Sequence, residues 1–157
     1  MVTVRDMTLD DLDEVSRLAE QLVLLHHAWD RTRFFTTPDV ARGYHRFFQS
    51  QLGNAGVLLL TALVDGQVAA YLYGTLEGRD WAKLLDAHGA IHDVFVAPGF
   101  RRHGVARALM AEARARFARE GATRVVLYSA AANADGQALF RELGYRPTMV
   151  EMTLDLE

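Results

Sequence analysis

Ile91-His92-Asp93-Val94-Phe95-Val96-Ala97-Pro98-Gly99-Phe100-Arg101-Arg102-His103-Gly104-Val105-Ala106 is the stretch on which the fold turns. From Ala90 to Val96 it is β-branched, aromatic and strand-like, and Pro98-Gly99 breaks the run. A helix is expected after Gly104, because Val105, Ala106, Leu109, Met110, Ala113 and Phe117 recur at helical spacing until Gly121. Arg124 to Tyr128 then reads as a strand again. Strand, helix and strand in this order normally form a right-handed crossover between parallel strands, with the site at their carboxyl ends.

Upstream, Val57 to Val64 and Gln67 to Leu76 read as two strands of a hairpin, joined by Asp65-Gly66, a pair that tolerates positive φ. Before them, Thr8 caps a helix carrying Leu12, Val15, Leu18, Ala19 and Leu22, and Thr37-Pro38-Asp39 opens a second helix that Gly53-Asn54 ends. Glu77 to Ala87 is polar and mixed and is expected to be a loop. Downstream, a short helix from about Ala134 to Leu143 ends at Gly144, and a last strand is expected from Met149 to Leu154. No repeat or linker divides the chain, so residues 1–157 are expected to form one α/β (α+β) domain.

Half the residues are apolar and 24% are charged, the balance of a globular protein. The longest apolar run, Val57 to Val64, is too short for a bilayer, and the N-terminus lacks the basic and apolar regions of a secretory signal. A cytoplasmic protein with no membrane partner is expected. The net charge of −3 is too mild to steer a polyanion, and the arginines between Arg101 and Arg124 alternate with Glu112 and Glu120, so nucleic acid is not an expected partner. The absence of cysteine excludes an acyl-thiol enzyme intermediate, and the six histidines show no metal-ligand spacing, so no metal is expected.

The turn before Val105 has the makings of an anion site. Amides at a helix start lack intrahelical partners, the macrodipole is positive there, and Arg101 and Arg102 add permanent charge. Similar turns also occur without a ligand, and on turn chemistry alone both readings stand. ATP, GTP and NAD fit poorly, since there is no G-x-x-x-x-G-K-S/T and Gly104 alone cannot supply the three glycines of a dinucleotide fingerprint.

The segment from Ile91 to Ala106 resembles motif A of the GNAT acetyltransferase family, Q/R-x-x-G-x-G/A after a strand ending in V-x-P. Asn133, Leu139-Phe140 and Gly144-Tyr145 are similar to the asparagine, leucine-tyrosine and glycine-phenylalanine of that family's later segment. The resemblance implies a mixed, mostly antiparallel central sheet with helices on both faces and one splayed parallel strand pair. It implies acetyl-CoA in the splay, with the pantetheine on the backbone of Val94, Phe95 and Val96. The pyrophosphate is then expected on Arg101, Arg102, His103, Gly104, Val105, Ala106 and Arg107. Asn133 matches a pantetheine-bonding position and is equally a good helix N-cap. Phe140 stands where the family usually has a proton-donating tyrosine, and a homodimer is the family's habit.

Acetylating an amine requires removing a proton from the ammonium, which suits histidine. His92 is the first candidate for the base, with Asp93 its neighbour; without a bulge, alternation would put only one of the two at the cleft. Tyr128 is a substitute acid, although a tyrosine there more often packs its ring. The acceptor pocket is expected from the N-terminal helices and the loop near residues 77 to 87, with His27, Asp30, Arg33 and Phe34 of the polar-aromatic segment from His26 to Phe35 shaping substrate choice; the alternative is an inter-helix loop whose Trp29, Phe34 and Phe35 cap the core. The expected acceptor is a small-molecule or peptide amine. The alternative that Phe140 motivates is a module that senses acyl-CoA without transferring it.

Overall fold

The computed structural model describes residues 1–157. The chain builds one five-stranded sheet in the order β1 (Val2–Asp6), β2 (Val57–Val64), β3 (Gln67–Glu77), β4 (His88–Val96), β5 (Val125–Leu127). The first four are antiparallel neighbours, and β5 alone runs parallel to β4. This is the mixed, mostly antiparallel sheet the resemblance implies.

One face is covered by α3 (Val105–Arg119) and α4 (Ala134–Glu142). There Leu109, Met110, Ala113, Phe117 and Phe140 pack on Leu60, Leu72 and Ile91. The other is covered by α1 (Leu12–Trp29) and α2 (Val40–Gln51), whose Leu12, Val15, Leu18 and Phe48 pack on Leu59, Tyr71 and Phe95. Alternation along the strands supplies both cores: Val94 and Val96 lean toward α3, and Phe95 between them leans toward α1.

The β2–β3 turn forms as expected, with Asp65 and Gly66 at φ 50° and 81°, the positive values of a type I′ hairpin. Several expectations are corrected. The N-terminal strand Val2–Asp6 was not anticipated; Val2 and Val4 pack on the α3 core, and Arg5, on the other face, is half-buried against Asp11. Helix α1 runs on to Trp29, so His26 and His27 are helical rather than part of a loop. His26 stays in the helix because its Nδ1 meets the Leu22 carbonyl at 2.8 Å and its ring lies edge-on to Trp29 and Phe34. Helix α2 starts after Asp39, not at Pro38.

The largest correction is at the end of the chain: Met149 to Leu154 is not a strand here. It alternates as a strand should, but no strand of the sheet pairs with it, and a strand's main chain needs a neighbour.

Candidate active site

Strands β4 and β5 pair only through Gly89–Val125, Ala90–Val126 and Ile91–Leu127. Beyond Ile91 they part, leaving β4 from His92 to Val96 with no strand on that side. The opening holds a small cleft of about 70 Å³, lined by Leu22 and His26 of α1, Ile91, His92 and Val94 of β4, Leu127, Tyr128 and Ser129, and Asn133 and Phe140 of α4. A wider groove of about 480 Å³ between α1 and α2, lined mainly by Arg17, Arg42, His45 and Arg46, shares no residue with it.

The turn ahead of α3 lies at the end of β4 as the strand-turn-helix order requires. Gly104 occupies the helix N-cap position at φ 76°, a left-handed conformation that glycine adopts without steric cost. No side chain caps the amides that follow, so the donors at the helix start are open to a ligand. Arg102 also has positive φ, 66°, and it and His103 are exposed. Arg101 and Arg107 are engaged elsewhere: Arg101 Nε donates to the Val96 carbonyl at 3.1 Å, with its guanidinium over the Phe95 ring, and Arg107 pairs with Glu142. Charge for an anion therefore comes from Arg102 and from the helix start. Val105 is buried in the α3 core and offers only its backbone, as does Ala106 beside it.

A bulge decides which way the two polar residues of β4 point. Tyr73 pairs with Asp93 and Gly74 with Ile91, so His92 is the extra residue. Alternation is reset there, and both His92 and Asp93 face the α1–α2 side. Asp93 Oδ2 accepts from Tyr71 Oη at 3.0 Å; the His92 ring lies 5.0 Å from that of Tyr73, and its Nε2 is 2.7 Å from Thr75 Oγ1. Tyr71, Tyr73 and Thr75 stand two residues apart on β3 and so share that face.

Hydrogen-bond accounting fixes the imidazole tautomer. Thr75 has one hydroxyl proton, which it donates to Glu77 Oε1 at 2.6 Å. Thr75 must therefore accept from His92, so Nε2 carries the proton and Nδ1 of the neutral ring keeps a free lone pair. Asp93 is partly buried, and burial pushes its carboxyl above the ordinary carboxylate range, opposed by the Tyr71 hydrogen bond and by His92 and His26. Burial and the nearby Asp93 together push the Tyr44 phenol up to about 12.

Tyr128 does not pack its ring into the core. It is 66% exposed at the cleft, with Lys83 Nζ 5.1 Å from the ring centre. Phe140 is buried against Tyr145, ring centres 6.1 Å apart, so no phenol stands at its position. Asn133 serves as N-cap of α4, its Oδ1 accepting from Gly136 N at 3.1 Å, and also lines the cleft.

The four residues expected at the acceptor pocket are not on the cleft wall. His27 Nδ1 meets the Phe34 carbonyl, Asp30 accepts from the amides of Thr32 and Arg33, and Arg33 pairs with Glu151 while lying over Phe34. Their bonds shape the turn after α1. From the same polar-aromatic segment it is His26 that reaches the cleft, because it lies one helical turn beyond Leu22 on the same stripe. Sequence reasoning also missed Thr75 and Glu77; only the β3–β4 register brings them to His92.

The sequence matches the family model "Acetyltransferase (GNAT) family" over residues 23–145. The chain belongs to the GNAT acetyltransferase family. No curated protein matches it by sequence. Among solved structures it is similar to a mutant of the BH1408 protein from Bacillus halodurans, with a TM-score of 0.81 at 21% identity and 99% of each chain covered. It is also similar to the aminoglycoside N-acetyltransferase AAC(6')-Iy in complex with CoA, at 0.79 and 19%, over 99% of this chain and 95% of that one. A predicted acetyltransferase with acetyl-CoA from Clostridium acetobutylicum matches at 0.74 and 15%, over 99% and 96%. At these identities the structures speak to the GNAT fold, and the family match places this chain among acetyltransferases.

Proposed function

We propose that this GNAT protein transfers the acetyl group of acetyl-CoA directly to a primary amine of a small molecule or peptide. The observation that carries the reading is the parting of β4 and β5 beside an uncapped helix start. Unpaired β4 backbone suits the amide-rich pantetheine arm, and the open amides behind Gly104 suit a diphosphate. Solved relatives in complex with CoA and with acetyl-CoA agree with that assignment.

His92 Nδ1 takes the proton of the incoming ammonium, held in the right tautomer by Thr75 and Glu77. Asp93, with one hydrogen bond made, retains acceptor capacity for the same ammonium. The amine nitrogen then bonds to the thioester carbon as the carbon–sulfur bond breaks. Tyr128 gives its proton to the departing thiolate, the second nitrogen proton passes to the phenolate so formed, and His92 releases the first proton to solvent.

Gly104→Asp tests the reading: a side chain at φ 76° is strained there, and its carboxylate opposes the diphosphate. The wild type is expected to gain melting temperature with acetyl-CoA and to release free thiol with some member of an amine panel, and the variant to do neither. No acetyl-CoA shift in the wild type would sink the proposal. Because Phe140 supplies no proton, a second reading is an acyl-CoA sensor; a thermal shift without thiol release across the panel selects it.

A further inference from the structure

We infer that Lys83, on the loop between β3 and β4, is a positioning residue for Tyr128: its ammonium holds the phenol at the cleft and balances the negative charge the phenol acquires on protonating the departing thiolate. The inference rests on the proposed acetyl transfer and brings the β3–β4 loop into it.

Lys83 is the only lysine among the 17 Lys and Arg residues of the chain, and it stands against a residue of the cleft. Its Nζ lies 5.1 Å from the centre of the Tyr128 ring, within cation–π reach. Lysine suits the place, being a compact point charge on a flexible stem that can follow a phenol oxygen.

The loop is built to present it. Asp80 and Leu85 exchange backbone hydrogen bonds of 2.8 and 3.0 Å, and the Asp80 carboxylate accepts from the amides of Ala82 and Lys83 at 2.9 and 3.2 Å. Arg79 pairs with Asp86 at the base of the loop. The backbone under Lys83 is thereby fixed, yet no core contact holds the turn: Trp81 is 76% exposed and Leu84 86%. Leu84 takes φ 52°, a left-handed conformation unfavourable for leucine, and buries almost nothing in return. What the turn does is set Lys83 on Tyr128.

Tyr128 lies just beyond the last residue of β5 and is exposed, without the core packing that fixes Phe140. Hydrogen bonding and charge attraction to Tyr128 raise the Lys83 ammonium above the ordinary lysine value, and the carboxylates of Asp80 and Glu77 add to the effect. Lys83 therefore keeps its proton and serves as a standing charge rather than as a nucleophile. Before transfer that charge faces a neutral phenol; once the Tyr128 proton has gone to sulfur, it faces a phenolate. Only the second contact joins opposite charges, so Lys83 favours the transition state over the bound ground state. Lys83 itself gives up no proton, since the second nitrogen proton neutralises the phenolate.

The test is a double-mutant cycle, read as thiol release from acetyl-CoA with ethanolamine, butylamine and glycinamide, beside acetyl-CoA affinity by calorimetry. Lys83→Met is expected to lower turnover about fivefold, the attraction of two unit charges about 4 Å apart in water, with acetyl-CoA affinity unchanged. Lys83→Arg is expected to keep most of the rate. Tyr128→Phe should lower turnover further, and adding Lys83→Met to it should lower it no more. The inference is overturned, with acetyl transfer left standing, if Lys83→Met is as active as the wild type, loses its full factor again in the Tyr128→Phe background, or loses acetyl-CoA affinity in place of turnover. Full activity in Tyr128→Phe removes the acid and the inference together. A wild type that releases no thiol with any amine removes acetyl transfer itself, and this inference with it.

Discussion

Asp11 and Asp93 both lie on the α1–α2 side of the sheet, and they are held in opposite ways. Asp11 sits where β1 and β2 are closed. Its oxygens accept from Arg5 Nη1 and Nη2 at 2.7 and 3.0 Å, from the Thr8 amide at 2.9 Å and from Thr61 Oγ1 at 3.1 Å. Asp93 sits where β4 leaves β5 and has one donor, Tyr71. Burial works to raise both carboxyls. At Asp11 the Arg5, Thr8 and Thr61 bonds win and hold it below its ordinary value; at Asp93 burial wins. A carboxylate with every position filled is a structural tie, and one left short of donors is poised for a ligand.

The comparison can be broken from either end. The largest effect is expected from His92→Ala, with turnover falling about 10²–10⁴-fold and acetyl-CoA affinity little changed. The loss should be smallest at high pH, where the amine is already neutral. Steady-state kinetics across pH reads it, and an unchanged profile removes His92 from the base role.

Asp11→Ala at the closed end strands a guanidinium and two other donors, and should cost about 2–3 kcal/mol, seen as a melting temperature lower by about 5–10 °C. The wild-type contribution has a defined sign. Because the folded carboxyl titrates below its unfolded value near 3.8, the contribution is complete above that pH and is lost as pH falls through the folded value. A melting series in acid on both proteins should converge; parallel curves would refute the tie.

Thr75→Val cuts the chain from Glu77 to His92. Turnover should drop about tenfold, near the ~1.4 kcal/mol of one hydrogen bond, with acetyl-CoA binding intact and Thr75→Ser restoring it. Full activity in the valine variant would show that the tautomer needs no such support.

The smallest effect sharpens the contrast by its sign. Asp93→Asn keeps an acceptor for Tyr71 and removes a carboxyl whose folded value is raised, so it should melt about 2–4 °C higher at neutral pH. The folded wild type binds more protons than the unfolded chain, hence its stability falls as pH rises through the window above 3.8, and the variant's advantage should fade below that window. A variant that melts lower at neutral pH would mean Asp93 is a tie like Asp11.

Much of this architecture was legible before any coordinates. Asp65-Gly66 announced its hairpin, the α3 stripe from Val105 to Phe117 ran as read, and the order strand, Pro-Gly break, Gly104 and helix located the open helix start. These are local signals, set by φ preference and periodicity. The face of Asp93 was not legible, because the bulge at His92 arises from the register of β3 against β4. Nor was the link from His92 to Thr75 and Glu77, residues 17 and 15 positions away that meet only by strand pairing. In the turn after α1 the side chains of His27 and Asp30 are taken up by nearby backbone and Thr32, and Arg33 by Glu151, while His26 turns to the cleft, contacts that no local signal announces.

Alone, then, the sequence determined the helices, the β2–β3 hairpin and the place of the crossover turn, since backbone preference and apolar spacing act over a few residues. The tertiary structure decided where β4 and β5 part, that a bulge turns two polar residues to one face, and that the alternating C-terminal segment has no strand beside it. Each of these depends on which main-chain groups find partners across the sheet, and that pairing joins residues far apart in the chain.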